Sequence, residues 1–344
     1  MGVKLSKLVE KEEISLDHLK GKKIGIDAYN MLYQFLASIR GADGLPLADT
    51  KGNTTSHITG LFYRTINLLE KGISPVYVFD GKPSELKSET LAKRREIRTD
   101  AEQKSKDALQ QGELAEAKKM GSRALKLTPA MVEEAKELLR LMGIPVVEAS
   151  GEGEAQASVL VARKQLDGVV SQDFDCLLFG ADDLYRNIGF SGKRKVAGKN
   201  FYVDIKPEHI NLEKVLGELK ITREKLIWLG ILVGTDFNEK FPRVGPKTAI
   251  KLVQEFDSFE GIVEKTKHEP NFDYKEIVDI FMNPVAIEVK NSELVASETN
   301  KEKVLEFLIE KHDFSRDRVE GTLNRFLKQK EEKEKQKSLD QWFG

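Results

Sequence analysis

Short apolar runs and longer stretches of helical period alternate through the first part of this chain, and helical period alone continues to its end. Lys23-Ile24-Gly25-Ile26-Asp27, Pro75-Val76-Tyr77-Val78-Phe79-Asp80, Pro145-Val146-Val147-Glu148 and Gly168-Val169-Val170-Ser171-Gln172 are β-branched runs bounded by Gly, Pro or Ser, and they predict buried strands. Between them, Ala28 to Ile39 places Met31, Leu32, Phe35, Leu36 and Ile39 on one helical face. Ile58 to Lys71 is a second amphipathic helix, with Ser56 as its expected N-cap and Gly72 closing it, and Pro129 to Met142 is a third. The Ala-rich Glu154 to Leu166 reads as the crossover helix of a βαβ unit. Asp183 to Ile188 and Asn200 to Asp204 predict further strands around a basic loop with Lys193, Arg194, Lys195 and Lys199. From Pro207 onward helices are expected over 212–219, 223–233, 246–256, 274–282, 301–311 and 315–328. This alternation predicts an α/β fold: a mixed, mostly parallel central sheet flanked by helices.

Two stretches break the pattern. From Ser84 to Lys126 charges of both signs dominate and apolar residues are too sparse for a buried stripe, so the segment reads as a polar helical excursion inserted between two strands of one sheet. From Lys328 to Lys337 nearly every residue is Lys, Glu or Gln, which predicts a solvated or frayed tail.

Composition narrows the chemistry. The 344 residues suffice for a sizeable core; the single Cys, Cys176, excludes an internal disulfide and a thiolate cluster, as in a reducing cytosol or nucleus. The five His are scattered without ligand spacing, which argues against zinc. No segment has the roughly 18 uncharged apolar residues of a membrane span. The net charge of -1 is compatible with a nucleic-acid partner, because local patches, not totals, bind phosphate.

The chemistry lies where the strands stop. Asp27, Asp80, the pair Glu152 and Glu154, and the pair Asp173 and Asp175 follow the four predicted strands, and Asp236 follows the apolar helix ending at Val233. Any one acid there could simply cap a helix. Capping alone would scatter Ser, Thr and Asn among these positions, and the recurrence of acids points to a metal cluster at the carboxyl edge of the sheet, where α/β folds bind ligands. Seven carboxylates exceed what one hard cation uses. Two ions, Mg²⁺ with Mn²⁺ as a substitute, are implied, and a two-metal site serves in-line phosphodiester cleavage. No nucleophilic Ser or Cys motif competes, and Gly245-Pro246-Lys247-Thr248 lacks the frame of a Walker loop.

Ile24-Gly25-Ile26-Asp27-Ala28, Val78-Phe79-Asp80-Gly81-Lys82-Pro83, Glu148-Ala149-x-Gly151-Glu152-Gly153-Glu154-Ala155, Ser171-Gln172-Asp173-x-Asp175 and Gly234-Thr235-Asp236-Phe237-Asn238, in that order, resemble the motifs of the flap endonuclease family, of the structure-specific 5′ nucleases, archaeal type. The resemblance implies that the seven acids bind two Mg²⁺ ions. It further implies a 5′ flap endonuclease with 5′-3′ exonuclease activity, cutting branched DNA near the junction of single and double strand in lagging-strand processing and repair.

It also assigns the remaining stretches. Residues 84–126 would form the helical arch through or beneath which the flap passes, with Lys87 and Arg94 as the basic pair facing the scissile phosphate. Tyr33 matches a tyrosine that stacks on an unpaired base, although its spacing equally suits a core aromatic. Arg40 and Arg64 match template-strand contacts, or are surface charges, and Gly2 would be the mature N-terminus beside the DNA. Residues 222–256 would form a helix-hairpin-helix, with Gly245 and Lys247 meeting a phosphate. The K⁺ ion that the family often holds there is not expected, because Phe241-Pro242-Arg243 replaces the hairpin's usual first Gly.

The nuclease domain is thus expected over 1–327 and a flexible tail over 328–344. In that tail Gln336, Leu339, Trp342 and Phe343 fit the sliding-clamp peptide Q-x-x-h-x-x-aromatic-aromatic, with Trp342 and Phe343 at the end of a charged segment that has no core to enter. The expected partners are flap DNA and a DNA sliding clamp, with no membrane, for an otherwise monomeric enzyme in the cytoplasm of an archaeal-type cell or in a nucleus. An RNA-directed 5′ exonuclease of the same superfamily is the competing enzyme reading, which the clamp peptide disfavours. A non-catalytic DNA-junction adaptor would require lost acids, and all seven are present.

Overall fold

The computed structural model describes residues 3–41, 45–189, 192–195 and 202–343. Its centre is a seven-stranded sheet with spatial order β1-β9-β6-β5-β2-β3-β4. The strands are β1 (Glu12–Glu13), β2 (Lys23–Asp27), β3 (Ser74–Phe79), β4 (Val146–Glu148), β5 (Val169–Val170), β6 (Asp183–Arg186) and β9 (Glu208–Asn211). The pairs β6/β5, β5/β2, β2/β3 and β3/β4 are parallel, while β6/β9 and β9/β1 are antiparallel, so the expected mixed and mostly parallel sheet is present.

Alternation along the strands divides the core between the two faces. Val76 and Val78 pack into one apolar cluster with α6 (Gly153–Ala162) and α9 (Arg223–Val233). Tyr77 and Phe79 point into the other with α1 (Ala28–Ser38), α2 (Ser56–Glu70) and α5 (Pro129–Leu141). This is the period-2 consequence of a strand covered on both faces. β4 and β5 are not neighbours: the crossover helix α6 carries the chain over β3 and β2, and Gly25 in β2 makes room for it. A Cβ at Gly25 would stand 2.8 Å from Leu166 and 3.3 Å from Ala157.

Some expectations fail for identifiable reasons. Ser56 does not cap α2: Thr55 occupies the cap position, and the Ser56 hydroxyl donates to the Ile39 carbonyl (2.8 Å) and accepts the Leu47 amide (2.8 Å), tying the preceding loop to α1. The expected basic loop contains strand β7 (Gly192–Lys195), which pairs with β8 (Tyr202–Ile205) in a separate two-stranded ribbon; Lys199 lies outside the described residues. The short strands β1 and β9 were hidden because they carry Glu, His and Asn instead of an apolar run. The helix α11 (Phe259–Thr266) was also missed, although Ser258 caps it through the Gly261 amide at 3.2 Å.

The charged excursion forms a 3₁₀ turn (Glu85–Lys87) followed by two helices packed on one another, α3 (Ser88–Gln110) and α4 (Leu114–Arg123). Their contact is made by small residues: Ala101, Ala108 and Ala117 are buried, and the Ser105 hydroxyl donates to the Ala117 carbonyl at 2.8 Å. The last helix, α14 (Arg316–Phe343), carries its helical backbone through the charged segment 328–337. No helix among the described residues is long and apolar enough to cross a membrane.

Candidate active site

The acids collect at the carboxyl edge of the parallel strands because each parallel strand there runs straight into a helix or a turn. Asp27 ends β2 and is the N-cap of α1, its Oδ1 accepting the Asn30 amide at 3.0 Å. Asp80 follows β3, and its Oδ1 accepts the amide of Gly153, the first residue of α6, at 2.7 Å. Glu152 is the N-cap of α6 and Glu154 lies in that helix's first turn. Asp173 follows β5; Asp175 opens the short helix α7 (Asp175–Leu178), and its Oδ1 accepts the Val3 amide at 2.7 Å. Asp236 sits just past α9, after Gly234, whose φ of +93° turns the chain back.

Shared partners join these side chains. The Ser171 hydroxyl lies 2.6 Å from Glu154 Oε1 and 3.2 Å from Asp27 Oδ2. Asn30 Nδ2 donates to Asp173 Oδ2 at 3.3 Å. On the other side, the Lys87 ammonium donates to Glu152, lies 3.6 Å from Asp236 Oδ2, and stands over the Phe237 ring, 4.9 Å from its centre. Arg94 donates to Asp236 Oδ1, and Lys93 pairs with Glu239. The excursion is therefore folded down onto the acids through its own cations. Glu148, the remaining acid of the region, is held apart from them by Lys136 and Arg140, each at 2.8 Å.

Burial and mutual repulsion push four of the carboxyls up. Asp27 is raised to about 8 by burial and by the nearby charges of Asp80 and Asp173, and Asp175 to about 7 by burial with Asp173 and Asp236. Glu154 is raised well above the carboxylate range by burial, then by Asp27, Asp173 and Asp175. Asp80, whose residue is open to solvent in the cleft although protein crowds its carboxyl, rises least of these three aspartates, to about 6, through burial and then Glu152 and Asp236. For Lys87, burial works against the charge, but Glu152 and Asp236 outweigh it and hold the ammonium above its usual range. The donor set is thus oxygen-rich, crowded with like charge and short of neutralising partners, which is the chemistry that suits a hard divalent cation. As they stand, no three His, Cys, Asp or Glu side chains among the described residues are drawn together closely enough to ligate one ion.

The remaining predicted residues are dispersed around this edge. Tyr33, half-buried on α1, packs against the core while the Arg98 guanidinium of α3 covers its ring at 5.1 Å. Its two readings are therefore compatible: one part of the ring is core and another faces the excursion. Arg40 donates to the Ala37 carbonyl at 3.2 Å. Arg64 donates to the Gly189 carbonyl (3.1 Å) and to Asn67 (3.2 Å), so it ties α2 to the turn after β6. Gly245 is the N-cap of α10 (Pro246–Glu255), with Pro246 at the first helical position, and Gly245 and Lys247 are exposed. Gly2 lies outside the described residues, as do the side chains of Gln336, Leu339, Trp342 and Phe343, whose backbone belongs to α14.

The chain is similar to known proteins over most of its length. Residues 1–101 match the XPG N-terminal domain and residues 143–236 the XPG I-region. The flap endonuclease 1 of Pyrococcus furiosus is 49% identical over 344 residues, covering 100% of this chain and 99% of the relative. This chain belongs to the flap endonuclease 1 family. The flap endonuclease 1 of Sulfolobus acidocaldarius is 47% identical over 348 residues, covering 98% and 99%. Among solved structures, flap endonuclease-1 from Methanococcus jannaschii superposes with a TM-score of 0.75 at 40% identity, covering 96% of this chain and 100% of that one. The catalytic core of Rad2 in complex with DNA substrate superposes with a TM-score of 0.67 at 25% identity, covering 92% and 96%. The protein is thus a structure-specific 5′ flap endonuclease, a hydrolase of DNA phosphodiester bonds.

Proposed function

We propose that Asp27, Asp80, Glu152, Glu154, Asp173, Asp175 and Asp236 hold two Mg²⁺ ions, for which Mn²⁺ can substitute, and that the flap is cut beside them. The observation that carries this reading is that seven acids from separate parts of the chain line one sheet edge, with Lys87 and Arg94 paired to Glu152 and Asp236 among them. When bound, the ions supply a nucleophile at neutral pH and offset charge on the attacking and leaving oxygens. The protein supplies the rest. Lys87 and Arg94, paired with Glu152 and Asp236, would face a phosphate presented to the acids and offset the charge that develops on it. Tyr33 offers a sequence-tolerant face to an unpaired base.

Residues 84–126 act as the arch over the flap, and 222–256 as a helix-hairpin-helix in which the exposed start of α10, with Gly245 and Lys247, meets a duplex phosphate. Arg40, Arg64 and Gly2 are assigned to DNA contact by resemblance alone, and no K⁺ ion is assigned to the hairpin. The nuclease body, 1–327, would then carry a clamp-binding tail, 328–344, in which Gln336, Leu339, Trp342 and Phe343 engage a sliding clamp. Such an enzyme works where the chromosome is replicated: the cytoplasm of an archaeal-type cell, or a nucleus.

The test is Asp173→Ala on a double-flap DNA, with and without Mg²⁺. The variant should bind the flap as the parent does and cut it orders of magnitude more slowly; near-parental cutting would refute the ligand assignment.

A further inference from the structure

The most connected side chain among the acids is a serine. Ser171 directly follows β5 and is 1% exposed. Its hydroxyl lies 2.6 Å from Glu154 Oε1 and 3.2 Å from Asp27 Oδ2, and it accepts the Asp173 amide at 3.2 Å. One oxygen atom therefore touches three segments that each bear an acid: the end of β2, the first turn of α6 and the turn between β5 and α7.

A hydroxyl has one proton and two acceptor positions. The Asp173 amide uses an acceptor position, and the proton goes to Glu154, the shorter contact, with Asp27 sharing it. The remaining oxygens are sorted as a result. Glu154 Oε1 is held by Ser171 and faced by Cys176 Sγ at 3.6 Å, while Glu154 Oε2 makes no hydrogen bond among the described residues. Asp27 Oδ1 is engaged by the Asn30 amide, so both oxygens of Asp27 have fixed directions. Asn30 completes the arrangement from the other side by donating to Asp173 Oδ2 at 3.3 Å and accepting the Gln172 amide at 3.3 Å.

We propose that Ser171 is a positioning residue for the divalent ions: its hydroxyl ties the Asp27 and Glu154 carboxyls to the backbone of Asp173, so that a cation draws three linked groups together instead of gathering three independent side chains. This rests on the reading of those acids as ion ligands. Groups that orient metal ligands from behind change metal affinity by about 10- to 100-fold when removed. Ser171→Ala should therefore weaken Mn²⁺ binding to the full-length, DNA-free protein by about that factor, and Ser171→Thr, which keeps the hydroxyl, should restore it.

Electron paramagnetic resonance of free Mn²⁺ during titration reads this without catalysis. In flap cleavage, the Mg²⁺ concentration giving half-maximal rate should rise by the same factor, with the rate recovering toward the parental one at saturating Mg²⁺. Parental Mn²⁺ affinity in Ser171→Ala, alongside lost binding in Asp173→Ala, would overturn the proposal and leave the ligand reading standing. Weakened binding that Ser171→Thr does not restore would also overturn it, since packing and not the hydroxyl would then be at work. Absence of Mn²⁺ binding by the parent would overturn the ligand reading and this proposal with it. Should circular dichroism show that Ser171→Ala does not fold, the isosteric pair Ser171→Thr and Ser171→Val decides: equal affinities overturn the proposal.

Discussion

Replacing Lys87 by Met removes a charge and keeps most of the stem, and it separates two roles of that residue. The ammonium lies between Glu152 and Asp236, with 11% of its side chain exposed against 20% and 12% for its partners. Removing one partner from so enclosed a group costs about 3–5 kcal/mol, because the remaining charges are left without compensation. The residual exposure argues for the lower end, about 3 kcal/mol. Unfolding entropy of about 2.1 cal/mol/K per residue, over 344 residues, makes that roughly a 4 °C drop in the melting temperature of the ion-free protein. With saturating Mg²⁺ the drop should shrink, because the ions neutralise the carboxylates that Lys87 neutralised before. Flap cleavage in the same buffer should nevertheless stay down by about 10²- to 10³-fold, the usual loss when one group facing a developing charge is removed. Differential scanning calorimetry with EDTA and with Mg²⁺, beside single-turnover cleavage, measures both. An equal melting loss in both buffers with parental cleavage would refute the argument that Lys87 holds the place of a cation at rest and meets the phosphate in action.

The ion-free protein should lose stability as pH rises. Asp27, Asp175 and Asp80 keep protons up to about 8, 7 and 6 in the folded chain but only to about 3.9 when unfolded. The folded state therefore binds the extra protons between about pH 4 and 8, and stability falls across that window; urea midpoints at pH 5 and pH 8 should show this in EDTA and show less of it in Mg²⁺. Gly153→Ala would bring a Cβ within 2.8 Å of Asp80 Oδ1 and 3.3 Å of the Val78 carbonyl, displacing the Asp80 carboxyl. Cleavage should drop by up to about 10²-fold, as for a displacement approaching 1 Å, while the melting temperature stays near parental because Ala favours the helix start. Deleting 336–344 should leave cleavage of free flap DNA unchanged and abolish its stimulation by a sliding clamp, read in paired assays with and without the clamp.

The strands and acids of the active edge were legible because both signals are local. A buried parallel strand announces itself by an uninterrupted apolar run, as in Val76-Tyr77-Val78-Phe79, and the residue that stops the run lies at the sheet's carboxyl edge by construction. β1 and β9 were not legible, since strands this short and polar exist only through pairing with β6 and with each other. Nor was the closure of the excursion, which depends on Lys87, Lys93 and Arg94 finding Glu152, Glu239 and Asp236 far away in sequence. Ser171 stood inside a motif already singled out and Asn30 in the helix after Asp27, yet neither type of residue signals a hub. Only the distances from one hydroxyl to Glu154, Asp27 and the Asp173 amide reveal its place.

From sequence, an acid after a strand poses a choice between helix cap and ion ligand, but the two roles are compatible. A carboxylate has two oxygens and about four lone-pair directions. Asp27, Asp80 and Asp175 each spend Oδ1 on a backbone amide, of Asn30, Gly153 and Val3 respectively. For Asp27 and Asp80 that amide opens a helix, so the bond that fixes the side chain also satisfies a helix end. For Asp175 the amide anchors the N-terminal segment beside the acids, so a change at either end of that bond disturbs both. What remains on each carboxyl is oriented by the fold before any cation arrives. The cost of holding these groups together shows in their raised proton affinities, and beside them Lys87 and Arg94 carry compensating charge at Asp236. Asp27 and Asp80 are held in place by the same bonds that satisfy helix ends. The same economy predicts that replacing Asp27 by Asn, which can still cap α1, should spare the melting temperature far better than it spares Mn²⁺ binding.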